Sequence, residues 1–190
     1  MKILEVKTLA IPDIKVIRFG RYNDSRGYFT EVFRESDFQK LDFMKGVKFL
    51  QCNDAYSKTG TFRGLHFQWN PYMGKLVRVV RGRILDFALD IRKCSPTFGK
   101  VIAYELISNP EDDQNEWIWL PPGFAHGFLT LEDRSVVEYH MSQIHHPDSA
   151  RGVRWDDPAL GIEWPSAPEV FSAHDAQLPT LGVALEEGGP

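Results

Sequence analysis

The sequence predicts an all-β domain, a sandwich or barrel assembled from many short strands. Three observations carry that expectation. Apolar and polar residues alternate over runs of roughly four to eight residues, Gly, Pro, Asn or Asp clusters separate most of those runs, and helical periodicity is scarce. Val16–Arg18 and Tyr28–Phe33 are the first strand-like runs. Glu35 to Leu41, after Arg34, mixes charged and apolar residues as a short helix does. Strands are then expected at Phe49–Asn53 and Gly64–Phe67. Lys75 to Arg81 is a run rich in valine, and Gly82 after it can take the positive φ of a turn or bulge, so this run and Arg83–Arg92 read as a hairpin. Within the second run Leu85, Phe87, Leu89 and Ile91 share one face and Ile84, Asp86, Ala88 and Asp90 the other. Further strands are expected at Val101–Leu106, Glu116–Leu120, Gly127–Leu131 and Ser135–Met141. Pro168 to Asp175 has room for one or two helical turns, with Ser172 placed as a cap. Residues 1–182 read as one domain without repeat or linker, and 183–190, ending Glu-Glu-Gly-Gly-Pro190, as a frayed tail.

Composition narrows the function classes. The chain has 190 residues, a length that suits one domain burying roughly 70% of its unfolded-state surface. Its 22 Lys plus Arg against 26 Asp plus Glu give a net charge of −4, which argues against a general nucleic-acid binder. Cys52 and Cys94 are too few for a disulfide framework and lack the C-x-x-C spacing of thiolate sites, so a reducing cytoplasm is the expected compartment. Lys2, Glu5, Lys7, Asp13 and Lys15 interrupt the N-terminal apolar residues, and no segment approaches a span of about 20 apolar residues. Neither export nor membrane insertion is expected. Aromatic residues make up 13% of the chain, and Trp69, Trp117, Trp119 and Trp155 sit in polar company that suits sugar or base stacking. Taken singly, each reads more simply as β-core filling.

Two clusters carry chemistry. Arg63-Gly-Leu-His66-Phe-Gln68 lies on an expected strand, where alternation puts His66 and Gln68 beside Gly64 on one face and Arg63 on the other. His66 there reads as a core histidine, a metal ligand or a general base. Pro121-Pro-Gly123-Phe-Ala-His126-Gly-Phe is a rigid turn delivering His126 to the next strand. Its P-x-G-x-x-H spacing resembles the second signature of cupin barrels. The first cupin signature needs H-x-H with a glutamate shortly after, whereas this chain has His66-Phe-Gln68 and no such carboxylate. Two histidines without a nearby carboxylate make a poor transition-metal site, so a metal-free cupin barrel is expected.

A more specific resemblance follows. Asp24-Ser-Arg26-Gly27-Tyr-Phe29-Thr-Glu31, Gln51-Cys-Asn53, the Arg63–Gln68 stretch, Lys75-Leu-Val, the Pro-Pro-Gly-Phe-Ala-His-Gly-Phe stretch, Gly152-Val-Arg-Trp155-Asp-Asp-Pro158 and Ile162-Glu-Trp164-Pro165 occur together and in order. Over roughly residues 9–182 the chain resembles the dTDP-4-dehydrorhamnose 3,5-epimerase family of sugar-nucleotide epimerases. The resemblance implies a cupin-type double-stranded β-helix, or jelly roll, with a few short helices. It also implies a homodimer that exchanges an N-terminal segment, and a nucleotide-sugar substrate with no metal or other cofactor. By position, His66 is similar to the family's general base and Asp175 to the carboxylate paired with it. Lys75 resembles the lysine beside the sugar's C4 carbonyl, and Tyr139 the tyrosine that returns a proton from the opposite face. A base for a proton next to a ketone works best with a pKa near working pH, and a cation suits the developing enolate oxygen. Arg63, Arg26, Glu31, Gln51, Asn53 and His126 are the expected contacts to diphosphate and nucleoside, arginine because its planar fork matches phosphate.

Three positions depart from the family. His145 stands where a second tyrosine helps to hold the sugar ring, Tyr22 where phenylalanine is common, and Asp54-Ala55 where His-Ser is common. His145 is smaller and titratable, so altered ring positioning or proton delivery is expected, down to inversion of a single centre. Two further classes stay open: a metal-dependent cupin using His66, His126 and His140 or His145, and a sugar-binding cupin without turnover.

Overall fold

The structure is a computed structural model that describes residues 1–186. In chain order the elements are β1 (Ile3–Thr8), β2 (Lys15–Gly20), β3 (Tyr22–Asp24), β4 (Gly27–Phe29), α1 (Glu35–Phe38), β5 (Gln51–Ser57), β6 (Phe62–Gln68), β7 (Lys75–Asp90), β8 (Val101–Ser108), β9 (Gln114–Leu120), β10 (Phe124–Thr130), β11 (Ser135–Met141), β12 (Ala150–Gly152) and α2 (Leu181–Glu186), with single 3-10 turns between some of them.

Two antiparallel sheets share the long strand β7. Its first half pairs with β9 and β11 in a sheet ordered β1-β2-β9-β7-β11-β5. Its second half pairs with β10 and β8 in a sheet ordered β12-β6-β10-β7-β8. The result is the jelly-roll barrel that the sequence leads one to expect. The hairpin expected at Gly82 does not form. Both halves of β7 have antiparallel neighbours on each side, so the chain runs on: Val80 is the extra residue of a bulge against β11, and Gly82 (φ 87°), two residues later, stands where the strand passes from one sheet to the other. A Cβ there would lie 2.3 Å from the Ser135 hydroxyl oxygen and 3.0 Å from the Ser135 Cα, which leaves glycine as the residue that fits.

The alternation along β7 has both faces buried. Ile84 and Ala88 point between the sheets, where they meet Val77, Val79, Ile118, Phe128 and Val137. Phe87, Leu89 and Ile91 point outward and join Phe62, Leu65 and Phe67 under the C-terminal segment. Full burial of a side chain such as Phe87 contributes roughly 1.5–3 kcal/mol. On the other sheet's outer face, Phe38 and Met44 pack on Phe19, Leu76, Trp117 and Trp119.

Several local expectations change. Helix α1 stops after Phe38 because Gln39 turns to the returning loop, donating to the Val47 carbonyl (2.6 Å) and accepting from the Gly46 N–H (2.8 Å). Strand β1 had no clear sequence signal, and only Tyr28 and Phe29 of Tyr28–Phe33 are in a strand, within the β3–β4 hairpin. Pro168–Asp175 is not helical: Val170 bridges to Thr61, and Ser172 accepts the Asp175 N–H (3.0 Å) to start a 3-10 turn at Asp175–Gln177. The expected tail begins too early at residue 183. Helix α2 docks through Leu181, Ala184 and Leu185 against the outer core, and the remainder of 183–190, residues 187–190, lies outside the described residues. Trp117 and Trp119 are core residues, 0% and 2% exposed, not a stacking platform.

Candidate active site

The site starts from β6. Phe62, Leu65 and Phe67 pack into the outer core, whereas Arg63 and His66 line the barrel cavity. In a regular strand residues three apart point to opposite sides. Here Arg63 pairs with Phe128 and His66 with His126, so three steps along β6 match two along β10 and Gly64 is the extra residue of a bulge. This resolves the opposed placement that simple alternation predicts. Gly64 has φ 131°, and a Cβ on it would sit 2.5 Å from the Gly127 Cα and 2.8 Å from the His126 carbonyl oxygen. The two strands approach this closely because both positions are glycine.

The cavity between the sheets has two adjoining lobes of about 480 and 230 Å³ that share His66, Lys75, Tyr139 and His174 as walls. The larger lobe also meets Gln51, Asn53 and His145, and the smaller one Arg63, His126 and Asp175. His66 projects from one sheet and Tyr139, on β11, from the other.

At the centre, His66 Nε2 and Asp175 Oδ1 are 2.6 Å apart. The imidazole is 38% exposed and the carboxylate 5%, so the ring faces the cavity and the carboxylate lies behind it. Burial opposes ionisation of Asp175, but hydrogen bonding to His66 and Ser172 outweighs it and holds the carboxyl below the usual range. A neutral ring anchored through Nε2–H keeps Nδ1 as its one free lone pair. Lys75, at the start of β7, donates to the His66 carbonyl at 3.3 Å. Desolvation on the cavity floor brings its ammonium down to about 8, despite the opposing charge of Asp86. Beneath it His126 Nε2 meets Asp86 Oδ2 at 2.7 Å, and burial keeps that imidazole below its ordinary pKa although Asp86 pulls it upward. At the mouth the Gln51 carboxamide oxygen accepts the His145 N–H (2.8 Å), and the Gln51 amide donates to the Asn53 side chain (3.1 Å).

Of the residues singled out in the sequence, His66, Asp175, Lys75, Tyr139, Arg63, Gln51, Asn53, His126 and His145 converge on this cavity. Arg26 and Glu31 do not. Arg26 is tied to Asp24 (2.6 Å) on the β3–β4 hairpin, a two-stranded unit separate from the barrel sheets. Glu31 pairs with Arg34 (2.7 Å) and the N-terminal amine (2.5 Å). Sequence reading passed over Asp86, His174 and Arg151. Asp86 carried a signal, a charge on the inward face of β7 among apolar residues, and His174 is the direct neighbour of Asp175. Arg151 lines the larger lobe and carried none. Among the described residues, the three-residue sets with metal-ligating groups close together are Cys52–Glu138–His140 and His66–His174–Asp175. Neither joins His66 to His126, so the metal-cupin arrangement considered above is not assembled.

Comparison with known proteins agrees with this geometry. The family described as dTDP-4-dehydrorhamnose 3,5-epimerase matches residues 8–182. A Sinorhizobium fredii protein of that name is 43% identical over 178 residues, covering 92% of this chain and 88% of its own. The solved dTDP-6-deoxy-D-glucose-3,5-epimerase RmlC of Legionella pneumophila, in complex with dTDP-4-keto-L-rhamnose, superposes with a TM-score of 0.90 at 35% identity, over 98% of this chain and 97% of that one. ChmJ, a 3'-monoepimerase of Streptomyces bikiniensis solved with dTDP-quinovose, gives a TM-score of 0.84 at 32% identity, over 95% and 90% of the two chains. Strand order, cavity residues and these matches together place the chain in the dTDP-4-dehydrorhamnose 3,5-epimerase family.

Proposed function

We propose that the chain epimerises C3 and C5 of a nucleotide-linked 4-keto-6-deoxyhexose, a step in deoxysugar biosynthesis, with dTDP as the nucleotide. The observation that carries this reading is the 2.6 Å His66–Asp175 pair facing Lys75 and Tyr139 across one cavity. His66 takes the proton from the carbon beside the C4 ketone, and the electron pair moves onto the ketone oxygen as an enolate. Lys75 stabilises that oxygen. Tyr139 then gives its hydroxyl proton to the same carbon from the opposite sheet as the ketone re-forms, and solvent restores both side chains. Arg63 and the mouth residues Gln51, Asn53 and His145, which line the same cavity, are the groups that meet the nucleotide and diphosphate in this reading.

The test is incubation with dTDP-4-keto-6-deoxyglucose in deuterated water, read by NMR and mass spectrometry. Deuterium at C3 and C5 is the expected result. Deuterium at one carbon only would make the protein a single-centre epimerase, a reading motivated by His145 at the mouth, and no exchange would reject the substrate. Tyr139→Phe is expected to keep proton exchange through His66 while losing inversion roughly 100-fold, because the opposite-face acid is gone. Loss of exchange and inversion in parallel would reject that division of roles.

Activity also depends on the charge of Lys75. With its ammonium at about 8, kcat/KM is expected to fall as pH rises through that value, since the neutral amine no longer stabilises an enolate. Lys75→Arg should move the fall to higher pH. A profile unchanged by that substitution would assign the fall to another group.

The β3–β4 hairpin, with Tyr22, Tyr28 and Phe29 exposed, supports a homodimer in which the N-terminal segment crosses to a second copy and brings Arg26 and Glu31 to its cavity. Light scattering should then give the mass of two chains, and a monomer mass would remove this part of the proposal. No helix among the described residues is long and apolar enough to cross a membrane. Cys52 and Cys94, both free and exposed, suit a reducing cytoplasm, which cell fractionation tests.

A further inference from the structure

We propose that His66, His174 and Asp175 form a reversible site for a borderline divalent cation of the zinc type, and that its occupancy switches off the His66–Asp175 pair. The switch rests on the function proposed above; the binding does not. One ligand atom from each of the three side chains lies within 4.8 Å of the other two. Two imidazoles and a carboxylate are donors that zinc accepts, and the open cavity leaves room for water in a fourth position.

The three residues differ in exposure and anchoring. His66 is held in β6, and Asp175 is anchored through its N–H to Ser172. His174 is exposed, its ring centroid 6.0 Å from that of His66. With metal–ligand bonds of about 2.0–2.2 Å, neighbouring donors of a tetrahedral zinc lie roughly 3.3 Å apart, so the 2.6 Å His66–Asp175 pair must open to admit the ion while the exposed His174 completes the set. Lys75 and Arg63 line the same lobe and oppose a second cation. Their repulsion keeps the site weaker than a structural zinc centre and therefore reversible. The alternative set, Cys52–Glu138–His140, fits less well, because Glu138 is already paired with a residue outside the set, the Arg78 guanidinium at 2.6 Å.

The inhibitory consequence follows from imidazole chemistry. A neutral ring has one free lone pair. If the cation sits on Nδ1 that pair is used directly, and if it sits on Nε2 the ring proton moves to Nδ1, so neither arrangement leaves His66 able to accept a proton from substrate.

The experiment uses untagged protein and two readouts. Cobalt(II) chloride titrated into the wild type should develop the visible absorption of low-coordinate cobalt, and His174→Gln should not. Zinc chloride should inhibit deuterium exchange by the wild type, EDTA should restore it, and His174→Gln should need about 10-fold more zinc or beyond for the same fractional inhibition. Equal zinc sensitivity of the two proteins would place the metal elsewhere, for example on the substrate diphosphate, and overturn the site. An absent cobalt band and absent binding heat in the wild type would overturn it as well, and binding without inhibition would overturn the switch. If no sugar nucleotide turns over, cobalt absorption and calorimetry still decide the site, so its failure and that of the functional reading are distinguishable.

Discussion

His66→Ala is expected to lower kcat/KM by roughly 100- to 10,000-fold and to stop deuterium entering the sugar carbons, the span associated with removing a positioned general base. The cavity keeps Lys75 and Tyr139 in this variant, so residual enolate stabilisation has no partner to remove the proton. The truncation also leaves the buried Asp175 carboxylate without its 2.6 Å partner, which costs roughly 1–3 kcal/mol of stability. A circular-dichroism melt run beside the kinetics separates the two effects. A folded His66→Ala protein with wild-type turnover would reject the mechanism outright. Asp175→Asn is the companion variant: it keeps the shape but removes the charge that stabilises a protonated ring, so it should lose most of the activity while melting close to the wild type.

Gly64→Ala should be the most disruptive single-methyl change in the site. Its φ of 131° is strained for any L side chain, and the added carbon meets backbone on β10 at 2.5 and 2.8 Å, where no rotamer offers escape. Positive-φ strain and overpacking together should destabilise the fold by roughly 3 kcal/mol or more, lowering the melting temperature by roughly 10 °C in a domain of this size. Whatever folds should show weakened substrate binding, because separating β6 from β10 removes the bulge that turns Arg63 into the cavity with His66. Gly127→Ala approaches the same contact from the other side, 2.7 Å from the Arg63 carbonyl oxygen, and should produce a similar loss. A Gly64→Ala protein that melts and turns over like the wild type would show that the close approach is not required.

Much of the barrel was legible in the sequence because its strands are periodic. The alternation through Arg83–Arg92 identifies a strand and both of its faces, and the Pro-Pro-Gly turn announces His126 on the next one. Cavity residues were legible where they sit in compact motifs on strands, as with Arg63, His66, Lys75, Gln51 and Asn53. The short helices were less so. A single turn such as α1 has too few residues to show a period, and the side-chain bonds of Gln39 to a later loop end it. Asp86 shows the same limit from the other direction: a charge on an inward strand face reads as an anomaly until His126 is placed opposite it.

By itself the sequence determined the all-β class, most of the strands and the residue types that the site uses, since these follow from local periodicity, turn chemistry and short motifs. Only the tertiary structure decided that β7 runs on through Gly82 instead of turning there, that Gly64 brings Arg63 and His66 to one side of β6, and that Asp175 closes on a histidine 109 residues away. The physical reason is common to all three. Each depends on which strand or segment lies alongside, and that choice is made by burying both faces of the sheets at once, an energy summed over the whole chain and carried by no local stretch of it.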